Sequence, residues 1–383
     1  MAGFTAATIS YYGLVKFFGN SSEMGTGVMS VSNLSEWQSR TAGASAFAWT
    51  GVGTLNPPAD GTTLAPEWWS VWNYLQYGVG GCVIGATGTS QNTQFGYTYS
   101  ALHESPETIN VFFSAGNTFS SGVVANIATT RADTFAVIGA IKGITLPVPT
   151  TYNLHPADFG IDGFTGNTGA NVIYVANRKN YFRDWNNSGV GTLLIGKLDL
   201  SSDVAGCFGR SFANTNSWSV PAGIKRGAIY GAISLEQSLS ASDQTNLLNN
   251  GVSPVISFPG RGAYFMGNST GAASAGSTAS RANTHIVGIL NYIKLEVKNI
   301  AYDYLFEPNT ESNRSQFVSR ANSLMDTVKS SGSITAYSVI CNASNNTGIT
   351  FTADIAITPV NVAEAITLRV TNNGSTPAEV YIL

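Results

Sequence analysis

The stretch SFPGRGAYFMGNSTG (257–271) concentrates the residue types most suggestive of chemistry. Gly267-Asn268-Ser269-Thr270-Gly271 fits G-x-S-x-G, the turn on which some hydrolases present a nucleophilic serine. That turn needs a strand before it, a helix after it, and an acid and a histidine following in chain order. The apolar AYFM (263–266) supplies a strand, but TGAASAGSTASRANT follows, which is small and loop-like. The first histidine downstream is His285, and no Asp or Glu lies between it and Ser269. Any other order would need His103 or His155, neither in a recognisable context. In a chain with 41 glycines a five-residue pattern of this kind arises by chance. On these grounds Ser269 is expected to open a surface loop.

Other chemistries are no better supplied. Gly260-Arg261-Gly262 invites a phosphate-cradling loop, yet G-x-x-x-x-G-K-[ST] is absent and position 265 is Phe265 where G-x-G-x-x-G needs glycine. Arg261 is expected to pair with an internal carboxylate, with Glu307 a candidate. The three histidines, His103, His155 and His285, are scattered, and HESPE (103–107) reads as a solvated loop rather than a metal site. The Trp68, Trp69 and Trp72 set at helical spacing reads as core. No catalytic residue, cofactor or metal is expected.

Composition sets the frame. The 383 residues are 43% hydrophobic, enough for a substantial core and more than one domain. Only 11% are charged, against about a quarter in ordinary soluble domains. Net charge is −3, so no bulk field attracts nucleic acid or an anionic membrane. A surface so poor in charge is weakly protected against association, which hints at contact with other copies. Cys82, Cys207 and Cys341 form no disulfide framework, as in a reducing compartment. MAGFTAATISYYGLVKFF lacks a secretory pattern, and FAVIGAIKGITLPV (135–148) is too short to span a bilayer.

The elements follow from pattern. SNLSEWQSR (32–40) starts on cap-type residues and predicts a short helix. APEWWSVWNYLQYGVGG predicts a helix with Pro66 in its first turn, Trp69, Trp72 and Leu75 on one face and Gly78 at its end. CVIGAT predicts a buried strand, SSGVVANIATTRADTFAVIGAI (120–141) a helix running into a strand at 134–141, and NVIYVAN (171–177) another strand. Ser240 and Asp243 form a capping box before QTNLLNNG, stopped by Gly251. PVISF and GAYFM predict strands on either side of Gly260 and Gly262. A helix over 284–305 is blocked by Pro308; a second begins near Ser312, aligns Phe317, Ala321, Leu324 and Val328, and stops at Gly332. ITFTADIAI and EAITLRV alternate as strands. Both chain ends read as extended and apolar, with no evident partner strand of their own.

Four ordered stretches point further. DVAGCFGRSFANTNSWSVPAG (203–223), GAISLEQSLSASDQTNLLNNGVSPVISFPGRGAYFMG (231–267), LNYIKLEVKNIAYDYLFEPNTESNRSQFVSRANSLM (290–325) and DIAITPVNVAEAITLRV (354–370) resemble the C-terminal domain of contractile phage tail sheath proteins. VAG, DQTNLLNNGV, FPGRG, FEPN and ITPVNVAE keep the family's order and spacing. APEWWSVWNYLQYGVGGCVIGA, ADTFAVIGAI and ANVIYVANRKNY match the N-terminal half more loosely, and the family's proline-glycine opening is missing from MAGFTAATISYYG.

The resemblance implies an α+β protein: a tail-sheath-like C-terminal α/β domain plus an outer α/β domain, with extended N- and C-terminal arms. The boundaries expected are an arm at 1–20, the outer domain at 21–200, the C-terminal domain at 201–370 and an arm at 371–383. It implies a structural subunit, not an enzyme, polymerising as stacked six-fold rings around a tail tube and contracting without nucleotide. Implied partners are other copies, the tail tube protein, and baseplate and tail terminator proteins, with no direct nucleic-acid binding and no membrane insertion. The implied location is the virion tail, with assembly in the host cytoplasm. Gly260, Arg261, Gly262, Glu307 and Pro308 become framework. Lys294, Lys298, Arg314 and Arg320 become candidates to face the tube, and Val380, Tyr381, Ile382 and Leu383 an arm between subunits. GNSSEMGTG and NNGSTPAE would be hinges. A sheath of a headless injection particle or secretion machine, or an α/β enzyme, are the alternative readings.

Overall fold

The computed structural model describes residues 10–15, 28–41, 65–86, 109–114, 118–131, 133–140, 154–159, 166–182, 195–216, 218–275, 283–346, 350–362, 366–370 and 378–382. The chain forms two compact units, Met1–Gly288 and Ile289–Leu383.

The first unit is built on a seven-stranded sheet with order β10-β6-β5-β4-β1-β3-β2. Its strands are β1 (Ser10–Val15), β2 (Val28–Val31), β3 (Cys82–Ala86), β4 (Ile109–Ser114), β5 (Phe135–Gly139), β6 (Val172–Val175) and β10 (Val252–Ser253). All neighbouring pairs are parallel except β2 with β3. Parallel strands are covered on both faces and so read as apolar runs: every residue of Phe135–Gly139 and of Val172–Val175 is buried. Alternation decides the face each residue serves. Val111, Phe113, Phe135, Val137, Ile173 and Val175 join one core, whereas Phe112, Ala136, Ile138, Val172 and Tyr174 join the other.

Helices cover those faces. After α1 (Leu34–Thr41), helix α2 (Ala65–Gln76) lies in the first core with Trp72 and Leu75 buried. Chain reversal after it uses Gly78 at φ +62°, a region that costs a side-chain-bearing residue. The second core receives α3 (Thr118–Arg131) through Val124, Ala125, Ile127 and Ala128. Helix α4 (Ser201–Asn214) returns to the first core through Val204, Ala205, Cys207, Phe208 and Phe212. Beside it stands a second sheet of β7 (Arg178–Phe182) between β8 (Ile195–Asp199) and β9 (Ser234–Leu235). The capping box holds: in α5 (Ala241–Asn249) the Ser240 side chain accepts from the Asp243 amide, and Asp243 accepts from the Ser240 amide. Next come β11 (Val255–Phe258) and β12 (Gly262–Phe265), an antiparallel hairpin.

The second unit contains most of α6 (Thr284–Tyr302), then α7 (Glu311–Ser330), β13 (Ile334–Ile340), β14 (Asp354–Pro359), β15 (Ile366–Val370) and β16 (Ala378–Ile382). α7 packs Phe317, Ala321, Met325 and Val328 inward, with Leu324 less buried than its periodicity predicts. β13 and β14 pair antiparallel, as do β15 and β16. Along β14 the burial alternates, with Ile355, Ile357 and Pro359 turned inward.

Three expectations are corrected. The strand at 10–15 is no free arm: β1 lies inside the sheet, paired with β3 on one side and β4 on the other, so its ladder is satisfied within the chain. Residues 1–9 lie outside the described residues. The division at 200/201 does not hold either. α4 packs on β4 and β5, and β10 extends the same sheet, so 201–288 belong to the first unit. The C-terminal arm has a partner: Val380 stands opposite Leu368, Tyr381 opposite Thr367 and Ile382 opposite Ile366. Leu383 and the two stretches read as hinges, apart from Ala378 and Glu379, lie outside the described residues.

Candidate assembly surfaces and the framework beneath them

The FPGRG motif closes the β11–β12 hairpin. Gly260 and Gly262 have φ of +73° and +96°, which is what the turn demands of them. Arg261 is exposed at its tip. Its amide donates to the Phe258 carbonyl at 3.0 Å, and its carbonyl accepts from the Tyr264 hydroxyl at 3.0 Å. The Phe258 carbonyl and the Tyr264 hydroxyl thus hold the turn from within the hairpin.

Ser269 is the opposite of the surface residue the sequence predicts. It is buried, donates its hydroxyl to the Leu248 carbonyl, and its own carbonyl accepts from Ser253. Gly267 leaves no room for a side chain, since a Cβ there would stand 2.2 Å from Ser253. His285 is buried and contacts the Asn268 amide at 3.1 Å. The glycine-serine run looked like a surface loop because small polar residues serve tight packing equally well. His103 and HESPE lie outside the described residues, and among the described residues no His/Cys/Asp/Glu group could hold a metal ion. No helix among them is long and apolar enough to cross a membrane.

FEPN joins α6 to α7. Tyr304 points inward and stacks with Phe351 at 6.0 Å, edge-on to Phe317 at 5.7 Å. Pro308 accepts at its carbonyl from the Thr310 amide and the Asn313 side chain, each at 2.8 Å. Asn309 donates to the Thr350 carbonyl at 3.1 Å. Thr310 caps α7 by accepting from the Asn313 amide. Arg314 donates to the Asn309 carbonyl and side chain at 2.9 and 2.8 Å. Glu307 is exposed beside this clamp.

The four cations therefore separate. Arg314 is directed into the FEPN turn. Arg320 is exposed and pairs with Asp303 at 2.6 Å, its guanidinium 5.9 Å from the Tyr304 ring. Lys294 and Lys298 are exposed one helical turn apart on α6, with the Lys298 ammonium 5.9 Å from the Tyr302 ring.

Sequence reasoning missed a buried charge network in the first unit. Lys179 on β7 and Asp203 on α4 pair at 2.8 Å, with side chains 1% and 0% exposed. The Lys179 ammonium also donates to the Tyr230 carbonyl at 2.8 Å. Asp203 accepts from the Tyr77 hydroxyl at 3.0 Å and the Asn73 amide at 3.4 Å. Nearby, Asp199 accepts from the Ser201 amide at 2.9 Å and the Ser70 hydroxyl at 3.3 Å. Burial pushes the Asp199 carboxyl up to about 6, against 3.8 in water, and the Cys207 thiol up to about 12. Burial also raises Asp203, while Lys179 pulls it down. Arg210 lies over the Tyr77 and Tyr230 rings at 5.4 and 5.0 Å and donates to the Arg226 and Ala228 carbonyls. The network ties α2, β7, α4 and the segment at 226–230 into one body.

The fold thus described is α+β, and it is the fold of sheath proteins. The protein resembles a chain of the anti-feeding prophage baseplate, 6-fold symmetrised, with a TM-score of 0.71 at 14% identity, covering 96% of this chain and 94% of that one. It resembles the same particle's helical sheath in the contracted state with a TM-score of 0.70 at 14% identity, over 97% and 94%. The sheath complex of an extracellular contractile injection system follows at 0.68 and 13%, over 95% and 92%.

Sequence narrows this class. Residues 277–372 match the phage tail sheath C-terminal domain. The tail sheath protein of Vibrio phage KVP40 is 30% identical over 177 residues, and that of Enterobacteria phage T4 29% over 177 residues. Each match covers 45% of this chain and spans about a quarter, 26%, of the relative. The C-terminal part of the chain accordingly resembles contractile phage tail sheath proteins, and the fold of the whole is shared with sheath structures.

Proposed function

We propose that this protein is the structural subunit of a contractile sheath. The observation that carries the reading is the shared fold with a helical sheath over nearly the whole chain. The copies stack as six-fold rings around a tail tube, anchored at a baseplate and closed by a terminator, and contraction uses no nucleotide. Energy is stored in an extended lattice and released as rigid units rotate and bury more surface between copies. In a phage tail the contraction drives the tube through the host envelope.

Strand exchange supplies the links. β15 and β16 pair only with each other among the described residues, as do β13 and β14. Each two-stranded ladder leaves outer edges on which a neighbour's strand can add. The same antiparallel register can also form between copies, with 378–382 of one chain on 366–370 of the next. Lys294, Lys298 and Arg320 are exposed and are proposed to face the tube, whereas Arg314 is directed into the FEPN turn. The sheath of a headless injection particle is a second reading, favoured by the likeness to the anti-feeding prophage.

Polymerisation tests the proposal. The purified chain is expected to form hollow tubules by negative-stain microscopy. A folded protein that stays a discrete particle at every concentration and salt condition contradicts it.

A further inference from the structure

The turn between α6 and α7 presents apolar side chains to solvent. Phe306 is 97% exposed, with Tyr302 and Leu305 at 58% and 59%. Phe306 also sits at φ +68°, a left-handed conformation that a bulky residue rarely adopts. A large aromatic held in a strained backbone with its ring in water is costly twice over, and such outliers cluster where binding uses them.

The turn is rigidly mounted. Tyr304 anchors it from below, and the Leu305 and Glu307 amides donate back to Tyr302 and Tyr304 at 3.3 and 3.2 Å. Behind it the Asn309–Arg314 clamp fixes the entry to α7.

We propose that this turn is a docking knob for a second copy of this chain, with Phe306 as its anchor. The inference rests on the sheath reading and assigns it a contact separate from strand exchange. Two observations choose the occupant. Three side chains of this size at these exposures offer on the order of 450 Å² of mostly apolar surface, over half of the roughly 800 Å² that one partner contributes to a stable interface. Charge is balanced around the knob: 298–320 holds Lys298, Arg314 and Arg320 against Asp303, Glu307 and Glu311, and Arg320 is paired with Asp303. A strongly charged partner gains nothing there, whereas a surface as poor in charge as this chain's own fits. In a lattice of identical copies a knob meets a different patch on its neighbour, so the contact propagates rather than closing a pair.

The test uses the full chain. Phe306→Asn and Phe306→Gly both accept positive φ and both remove the ring. Each is expected to melt at or slightly above the wild-type temperature, yet to need at least about tenfold more protein to polymerise. A photo-reactive p-benzoylphenylalanine in place of Phe306 is expected to crosslink copy to copy. If wild-type chains form tubules and both variants form them at the same concentration, the docking inference falls and the sheath reading stands. Crosslinks confined to the chain itself, or made only to a tube protein, overturn it as well. A wild-type chain that forms no tubules but crosslinks between copies through position 306 keeps the docking surface and removes the sheath reading.

Discussion

Replacing Lys179 with Met isolates the cost of the buried charge network. The substitution removes the 2.8 Å ion pair and leaves Asp203, fully buried, with only the Tyr77 and Asn73 bonds. The side chains have similar length, so little packing is lost. Breaking a buried pair from one side costs about 3–5 kcal/mol, a large share of the roughly 5–15 kcal/mol that stabilises a typical domain. Equilibrium unfolding in urea at pH 7.5, followed by near-ultraviolet circular dichroism below the polymerising concentration, reads this as a lower midpoint at unchanged slope. Adding Asp203→Asn removes the orphaned charge and is expected to restore more than half the loss. A further sign of the mechanism is pH: the Lys179→Met deficit narrows on acidification, because a protonated Asp203 is no longer a buried charge. A loss below about 1 kcal/mol, or a double variant that loses the sum of the two singles, would refute the reasoning.

Asp199 supplies a second pH test. Its carboxyl titrates near 6 in the fold and near 3.8 in water, so the folded state binds more protons between those values. Stability contributed by this group is therefore full below about pH 4 and is lost as pH rises through 6, roughly 3 kcal/mol in all. Asp199→Asn is expected to flatten that slope and raise stability at pH 8 in thermal unfolding; an unchanged profile counts against the assignment. Arg314→Ala is expected to cost about 1–2 kcal/mol by freeing the Asn309 turn, with amide exchange rising at 309–313 rather than throughout; exchange unchanged there refutes the clamp. Deleting 371–383 is expected to leave a chain that folds but forms no tubules, and normal tubules from that truncation sink the strand-exchange proposal.

Much of the fold was legible where local chemistry decides. The Ser240–Asp243 capping box, the glycine turn at 260–262 and the helices flanking Pro308 follow from short-range rules, and the structure has them. The place of β1 is not legible because alternation shows that SYYGLV is extended without showing what it pairs with; its partners lie about 70 and 100 residues away. The same limit hid the pairing of β16 with β15. Lys179 and Asp203 sit 24 positions apart, one on a strand and one on a helix, and no spacing rule joins them. Charge scarcity was the one usable signal: in a chain with so few charges, a lysine inside a strand invites a search for its partner. Ser269 shows the reverse error, since packing against Ser253 and Leu248 leaves no trace in local composition. Phe306 is not legible in the sequence, because a lone aromatic in a turn carries no mark of its backbone angle.

Cryo-electron microscopy of the polymer formed by the purified full chain tests the central claim most directly. The account predicts a hollow helical sleeve of six-fold stacked rings in which each copy's C-terminal strands take part in a ladder with a neighbour. A folded chain that yields only closed, discrete particles, or a helical polymer whose copies touch without any shared strand ladder, would contradict it.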